Sequence, residues 1–413
     1  MVSERQLFQP VVLPCGKTLK NRIVKAAMEE NMADDNHLPS QGLKSLYKAW
    51  AMGGVGLIIS GNVMIDRMAM TGPGGVVLEK STPIDAFKDW AQHAKQNGCC
   101  AILQINHPGR QVMKKMGGKA LSPSAIAVDI GKHSHMLAKP KAMQADEIDE
   151  VINRFVDTAV QAKRAGFDGV QIHAAHGYLL SQFLSPLCNK RTDKWGGALQ
   201  QRASILYDIL QKVREAVGDT FIVAIKLNSA DFQRGGFDVD DAIEVLKRLN
   251  TLHVDFVELS GGSYEAPAMQ GRTADDRTLD REAYFLSFAK QIAEHASFPV
   301  MTTGGVSRFE TAQRVINAGM DMVGMASALA YTPNLVNLWK KDPQAVGYIP
   351  HLKWKDKAMS GLATMALVRR QLQRMGKGKA PKRRSNALFS LINDQVRLAR
   401  LTKKYRKWIG VDA

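Results

Sequence analysis

The chain has 413 residues, 45% of them hydrophobic and 23% charged, which excludes a disordered polypeptide and leaves ample length for a core without staples. Its 56 Lys and Arg against 39 Asp and Glu give a formal charge of +17. The excess is local: residues 341–413 hold 18 basic and 4 acidic residues, net +14, and residues 1–340 hold the other 38 and 35, net +3. The chain is therefore expected to divide near residue 340, into a nearly neutral unit over 1–340 and a basic helical extension over 341–413.

Four scattered cysteines, Cys15, Cys99, Cys100 and Cys188, form no C-x-x-C pair, so no zinc ribbon or cysteine-held iron–sulfur cluster is readable. No metal site is expected. Such sparse cysteine usage fits a reducing compartment. The first residues lack an apolar signal region, and no apolar run approaches the ~18 residues of a membrane span. A soluble, cytoplasmic protein is expected.

Short β-branched or apolar runs occur at 23–28, 55–61, 101–107, 169–173, 221–227, 256–260, 299–304 and 322–325. Between them lie segments of helical period, notably 147–165, 200–217, 240–252 and 281–295. In the first of these, Ile148, Val151, Ile152, Phe155, Val156 and Ala159 fall on one stripe. Alternation of this kind predicts a parallel sheet, and eight units predict a closed α/β barrel, the (β/α)8 TIM barrel. An open doubly wound sheet competes, but Met28-Glu29-Glu30-Asn31 follows the first strand where a G-x-G-x-x-G turn would stand.

In a barrel the chemistry sits where strands end, so the residues just past each run become candidates. Gly304-Gly305 after strand seven suits either an approach of backbone N–H groups to a phosphate or a tight turn. Lys226, ending strand five, is either a fixed cation for an anionic group or one half of an ion pair. His173 and His176, ending strand four, are spaced to converge on one oxygen atom, and Tyr178 lies two residues further as a proton source. The pair could also ligate a metal, but H-E-x-x-H is absent.

These strand ends, with Leu19-Lys20-Asn21-Arg22, Gln104 through Arg110, His173-Ala174-Ala175-His176-Gly177-Tyr178-Leu179, Phe183-Leu184-Ser185-Pro186, Asn189-Lys190-Arg191-Thr192-Asp193 and Trp195-Gly196-Gly197, resemble the old yellow enzyme family. Its members are FMN-dependent NAD(P)H oxidoreductases, or ene-reductases. The resemblance spans about residues 6–340. It implies a ping-pong reaction in which NADH or NADPH reduces FMN and an activated alkene, carrying a carbonyl or nitro group, then takes hydride. It further implies that His173 and His176 hold the substrate oxygen and that Tyr178 protonates the α-carbon. Gln104 would meet the pyrimidine edge of the flavin, Lys226 would stand where the family has arginine beside N1 and O2, and Gly304 and Gly305 would cradle the phosphate. Ala27, Met28 and Glu29 fall on the first-strand motif that touches the flavin edge, Gly61 ends the second strand run, and Ala326 and Ser327 fall on the strand-eight phosphate motif.

Three positions depart from the family pattern. Glu29 replaces the usual threonine or cysteine, either facing the flavin or turned away toward Arg110 or Lys226. Ser327 replaces an arginine, offering one hydrogen bond in place of a charged fork, and Lys226 removes bidentate geometry. Weaker FMN binding and an altered potential are expected.

The basic tail shows two helical patterns, 357–374 and 386–408, joined by a Gly/Pro-containing linker. The second sets Phe389, Ile392, Val396, Leu401, Tyr405 and Trp408 against Arg397, Arg400, Lys403, Lys404 and Lys407. Such a helix suits an anionic membrane surface, another polyanion, or docking on the barrel itself. A homo-oligomer is a further possibility. Rival readings are a tRNA-dihydrouridine-synthase-like FMN barrel, whose N-x-G-C-P-type motif is absent, and a non-catalytic barrel with weakened FMN binding.

Overall fold

The computed structural model describes residues 6–268, 283 and 285–412. All eight predicted strands form: β1 (Ile23–Lys25), β2 (Leu57–Met64), β3 (Cys100–Asn106), β4 (Gly169–Ala174), β5 (Ile222–Asn228), β6 (Phe256–Ser260), β7 (Val300–Thr303) and β8 (Met322–Met325). They pair in parallel and in order, and β8 returns to β1, so the sheet closes into a barrel. Closure leaves no unpaired edge.

Helices flank the ring: α1 (Gln41–Met52), α2 (Asp85–Ala94), α3 (Ala145–Arg164), α4 (Leu199–Val217), α5 (Val239–Leu249), α6 (Leu286–Ala293) and α7 (Phe309–Asn317). Their starts follow local chemistry. Ser40 accepts from the Leu43 N–H, Asp238 from the Asp241 N–H, and Glu147 reaches back to the Gln144 N–H. The helix expected from residue 281 is described from Leu286, because 281, 282 and 284 lie outside the described residues.

Strand alternation sorts side chains into two layers. Ile23, Ile58, Leu103, Val170, Val223 and Val257 face the helices, while Val24, Leu57, Ile102, Ile222, Phe256, Met301 and Met322 fill the interior. An antiparallel hairpin, Val11–Val12 with Thr18–Leu19, adds Val11, Leu13 and Leu19 to that interior cluster and closes the N-terminal end of the barrel. Above this apolar plug the interior turns polar.

The tail forms α8 (Lys357–Gly376) and α9 (Ala387–Trp408), with Asn386 capping α9 by accepting from the Phe389 N–H at 2.8 Å. The two helices pair through Arg369 to Asp394 at 2.7 Å and Arg370 to Ser390 at 3.0 Å. The α9 stripe read from the sequence as one face is divided in space. Tyr405 is fully buried and donates to the Arg67 carbonyl at 2.7 Å, and Trp408 stacks on His37 with centroids 4.3 Å apart, whereas Phe389, Ile392 and Val396 stay exposed. Stripe positions from 389 to 408 precess around the helix, so one straight face cannot hold them all.

Candidate active site

At the mouth of the barrel, β4 delivers His173 inward. Its Nδ1 accepts from the Ala175 N–H at 3.2 Å, which assigns the imidazole proton to Nε2. The chain then turns sharply, with His176 at φ 61° and Gly177 at φ 70°. A non-glycine residue in that region is uncommon and needs support from its surroundings. Here the His176 N–H donates to the Asn228 side chain at 3.0 Å, and Gln111 donates to the His176 carbonyl at 2.9 Å. Gly177 has a second reason to lack a side chain: a Cβ would sit 2.8 Å from both Gln111 and Ser263.

The turn brings the three predicted catalytic residues together. The rings of His173 and His176 lie 5.0 Å apart, and Tyr178 stands edge-on to His173 at 4.9 Å. His176 Nε2 meets the Ser260 hydroxyl at 2.7 Å. Burial, and after it the Lys226 charge, holds both imidazoles well below the usual histidine range, so both are neutral near pH 7. Burial, then the nearby Tyr264 and Glu29, pushes the Tyr178 phenol well above its ordinary value, so it carries its proton. Neutral donors beside a protonated phenol can polarise an oxygen and deliver a proton.

Below them lies a buried polar floor. Gln104 donates to Gln171 at 2.8 Å, Gln171 to Glu258 at 2.8 Å, and Lys226 Nζ to the other Glu258 oxygen at 2.8 Å. The ion-pair alternative for Lys226 is thus realised, with a partner the sequence reading did not single out. A lone glutamate in the apolar run 256–260 was the available signal, because a charge inside such a run is either paired or misassigned. Gln171, Asn228, Ser260 and Tyr264 were also not singled out.

Glu29 pairs with neither Arg110 nor Lys226. It accepts from the Thr71 hydroxyl at 2.5 Å, while Arg110 is held by Glu265 at 2.6 Å and by the Ile126 and Ala127 carbonyls. Glu30, the next residue, serves α1 instead, receiving the Tyr47 hydroxyl and facing Lys25 at 3.8 Å. That network occupies the open side of Gly61, where a Cβ would meet Glu30 and the Met28 carbonyl at 2.1 Å. Gly61 is small to admit this packing. Ala27 and Ala326 pack against the barrel interior, and Met28 packs against the outer core.

Gly304 and Gly305 follow β7 with φ 130° and 69°, conformations that disfavour a side chain; Gly304 is buried, its carbonyl accepting from the Ala283 N–H at 2.7 Å, and Gly305 is exposed. Ser327 begins the short helix Ser327–Tyr331 after β8. The donor set fits FMN: Lys226 supplies N–H donors, Gln104 retains an amide oxygen, and the two glycines follow β7 as Ser327 follows its parallel neighbour β8.

The fold is a closed parallel α/β barrel with a buried polar site at its mouth. The sequence pattern of the NADH:flavin oxidoreductase / NADH oxidase family covers residues 6–344, and the chain belongs to that family. It is 34% identical over 385 residues to the NADH-dependent flavin oxidoreductase iliE of Neonectria sp. (strain DH2), matching 87% of this chain and 50% of that relative. The chain therefore spans about half the length of that relative. With the iliE protein of Hypocrea jecorina (strain QM6a) it shares 33% identity over 379 residues, 85% of this chain and 94% of the relative. The solved old yellow enzyme homologue from Zymomonas mobilis matches with a TM-score of 0.70 at 26% identity, over 83% of this chain and 95% of that one.

Proposed function

We propose that the protein is an FMN-dependent NAD(P)H oxidoreductase that reduces the activated C=C bond of α,β-unsaturated carbonyl or nitro compounds. The observation that carries this reading is the joint placement of neutral His173 and His176, with rings 5.0 Å apart, and protonated Tyr178 edge-on to His173. Lys226, Gln104, Gly304, Gly305, Ala326 and Ser327 would hold FMN. Bound there, FMN supplies two-electron storage between the nicotinamide and the alkene.

The protein's own residues do the rest. His173 Nε2–H donates to the substrate oxygen. His176 is tied to Ser260 through Nε2, so its Nδ1 is left for the same oxygen, with the Ser260 hydroxyl donating to Nε2. Two neutral donors strengthen their hydrogen bonds as enolate or nitronate charge develops, which favours the transition state over the bound substrate. Tyr178 gives its proton to the α-carbon as hydride reaches the β-carbon, completing a two-electron, one-proton addition. Solvent then reprotonates the phenol.

The test is anaerobic reduction by NADH or NADPH followed by 2-cyclohexenone. Reoxidation of bound flavin supports the reading, and a reduced flavin that persists in the ketone overturns it.

The tail supports a separate reading as a contact for an anionic membrane surface. Met359, Leu362 and Met365 on α8 and Leu388, Phe389, Ile392 and Val396 on α9 are exposed, within a segment of net charge +14. Cosedimentation with phosphatidylglycerol vesicles, but not phosphatidylcholine ones, tests it, and equal pelleting with both sinks it.

A further inference from the structure

Glu258 has no assigned role in the chemistry described above, yet it is the only carboxylate among the described partners of Lys226 and Gln171. It is fully buried, as is Gln171, and Lys226 and Gln104 are nearly so. The four side chains form one chain of contacts, each 2.8 Å long.

Its direction follows from chemistry alone. An ionised carboxylate can only accept. Gln171 must therefore present its NH2 group to Glu258, and so its carbonyl oxygen faces Gln104. Gln104 must in turn present its NH2 group to Gln171. Gln104 then keeps its amide oxygen, an acceptor, alongside the second N–H of its NH2 group. At the other end, Lys226 spends one N–H on Glu258 and keeps its remaining donors. A single buried anion thus sets an acceptor at Gln104 and donors at Lys226.

A flavin pyrimidine edge carries the complementary pattern: a donor at N3–H, and acceptors at N1 and O2. We infer that Glu258 is a positioning residue for the flavin: it fixes the amide orientation of Gln104 through Gln171, and it offsets the Lys226 charge. The inference rests on the proposed flavin site. Its second consequence concerns redox balance. An uncompensated lysine beside N1 favours the anionic reduced flavin, whereas a lysine paired at 2.8 Å with a buried carboxylate does so less. The floor recognises the oxidised pyrimidine edge without strongly favouring reduction.

The experiment uses the full-length holoprotein and measures FMN dissociation constants for the oxidised and reduced states, together with the midpoint potential. In Glu258→Gln the anion is lost and the Gln171 and Gln104 amides are free to flip. Oxidised FMN is expected to bind about tenfold more weakly, the scale of one charge-assisted hydrogen bond. The ratio of reduced to oxidised affinity is expected to rise about tenfold, equivalent to about 30 mV for a two-electron couple. Glu258→Asp, which keeps the charge, should recover part of both changes. Lys226→Gln/Glu258→Gln, which removes both charges, should bring the ratio back toward wild type and guards against a fold defect in the single variant. A folded Glu258→Gln protein with wild-type affinity and potential overturns the inference. Failure of the wild type to bind FMN at all overturns the underlying flavin reading instead.

Discussion

Arg397, on the last helix, donates from its guanidinium to the backbone carbonyl of Asn31, two residues past Glu29 at the barrel mouth. The tail is thereby tied to the same loop that carries a site residue. Lys404 reinforces the contact by pairing with Asp35 at 2.6 Å, although that pair is exposed and contributes little. Burial of Tyr405, with half-buried Trp408 packed beside it, supplies the main attraction.

The docking of α9 is expected to stabilise the whole chain. Tyr405 is fully buried against His37, Arg67 and Trp408, and its truncation leaves a cavity and an unpaired carbonyl. Tyr405→Ala should cost about 3–5 kcal/mol, read from urea unfolding, whereas an exposed change such as Ile392→Ala should shift stability by less than about 0.5 kcal/mol.

Proton transfer and hydride transfer should separate. Tyr178→Phe keeps the ring against His173 and removes the acid. The reoxidation of reduced flavin by 2-cyclohexenone should slow by about 10²–10⁴-fold, with reduction by nicotinamide nearly unchanged, in stopped-flow measurements of each half-reaction. Equal slowing of both halves is the contrary outcome.

Ser260→Ala removes the hydroxyl 2.7 Å from His176 Nε2 and leaves that ring free to turn. A loss of about 1 kcal/mol, or roughly fivefold in kcat/KM for the alkene, is expected. FMN affinity should not change, which separates this effect from damage to the floor.

Stability should fall as acid is added below pH 6.5. Burial holds His37, His107, His173 and His176 below the ordinary histidine value, His107 at about 4. Each therefore binds fewer protons when folded than when unfolded. Their stabilising effect is fully present above the unfolded value near 6.5 and is lost as pH drops toward the folded values. Unfolding midpoints measured from pH 7.5 to 4.5 should decline steadily. His107→Asn should flatten part of the slope.

The thiols should be unreactive in the native state. Burial pushes Cys15, Cys100 and Cys188 up to about 11 and Cys99 higher still. Labelling with a disulfide reagent at pH 8 should be slow for the native protein and rapid in urea, because the thiolate is the nucleophile.

Much of the architecture was legible because it depends on local pattern. Runs such as 101–107 and 221–227 alternate with amphipathic helices, and parallel strands covered on one face by helices must be apolar there. The string from His173 to Tyr178 was equally legible, since three reactive side chains at one strand end have few structural explanations. Glu258 was not, because its meaning depends on strands β3, β4 and β5 as neighbours. Nothing near residue 258 in sequence says that Lys226, Gln171 and Gln104 will reach it.

The tail shows the same division. Its charge and its helical period were fixed by composition and spacing, and the +14 over residues 341–413 needed no structure. Which side chains it buries was decided only by tertiary packing. Arg397 belongs to the basic set by sequence, yet it turns inward to Asn31, while Phe389 and Ile392, apolar by sequence, remain in solvent. Local sequence sets what each residue can do. The side chains that fold against it, often hundreds of residues away, decide which of those possibilities is used, because burial and pairing are properties of neighbours in space.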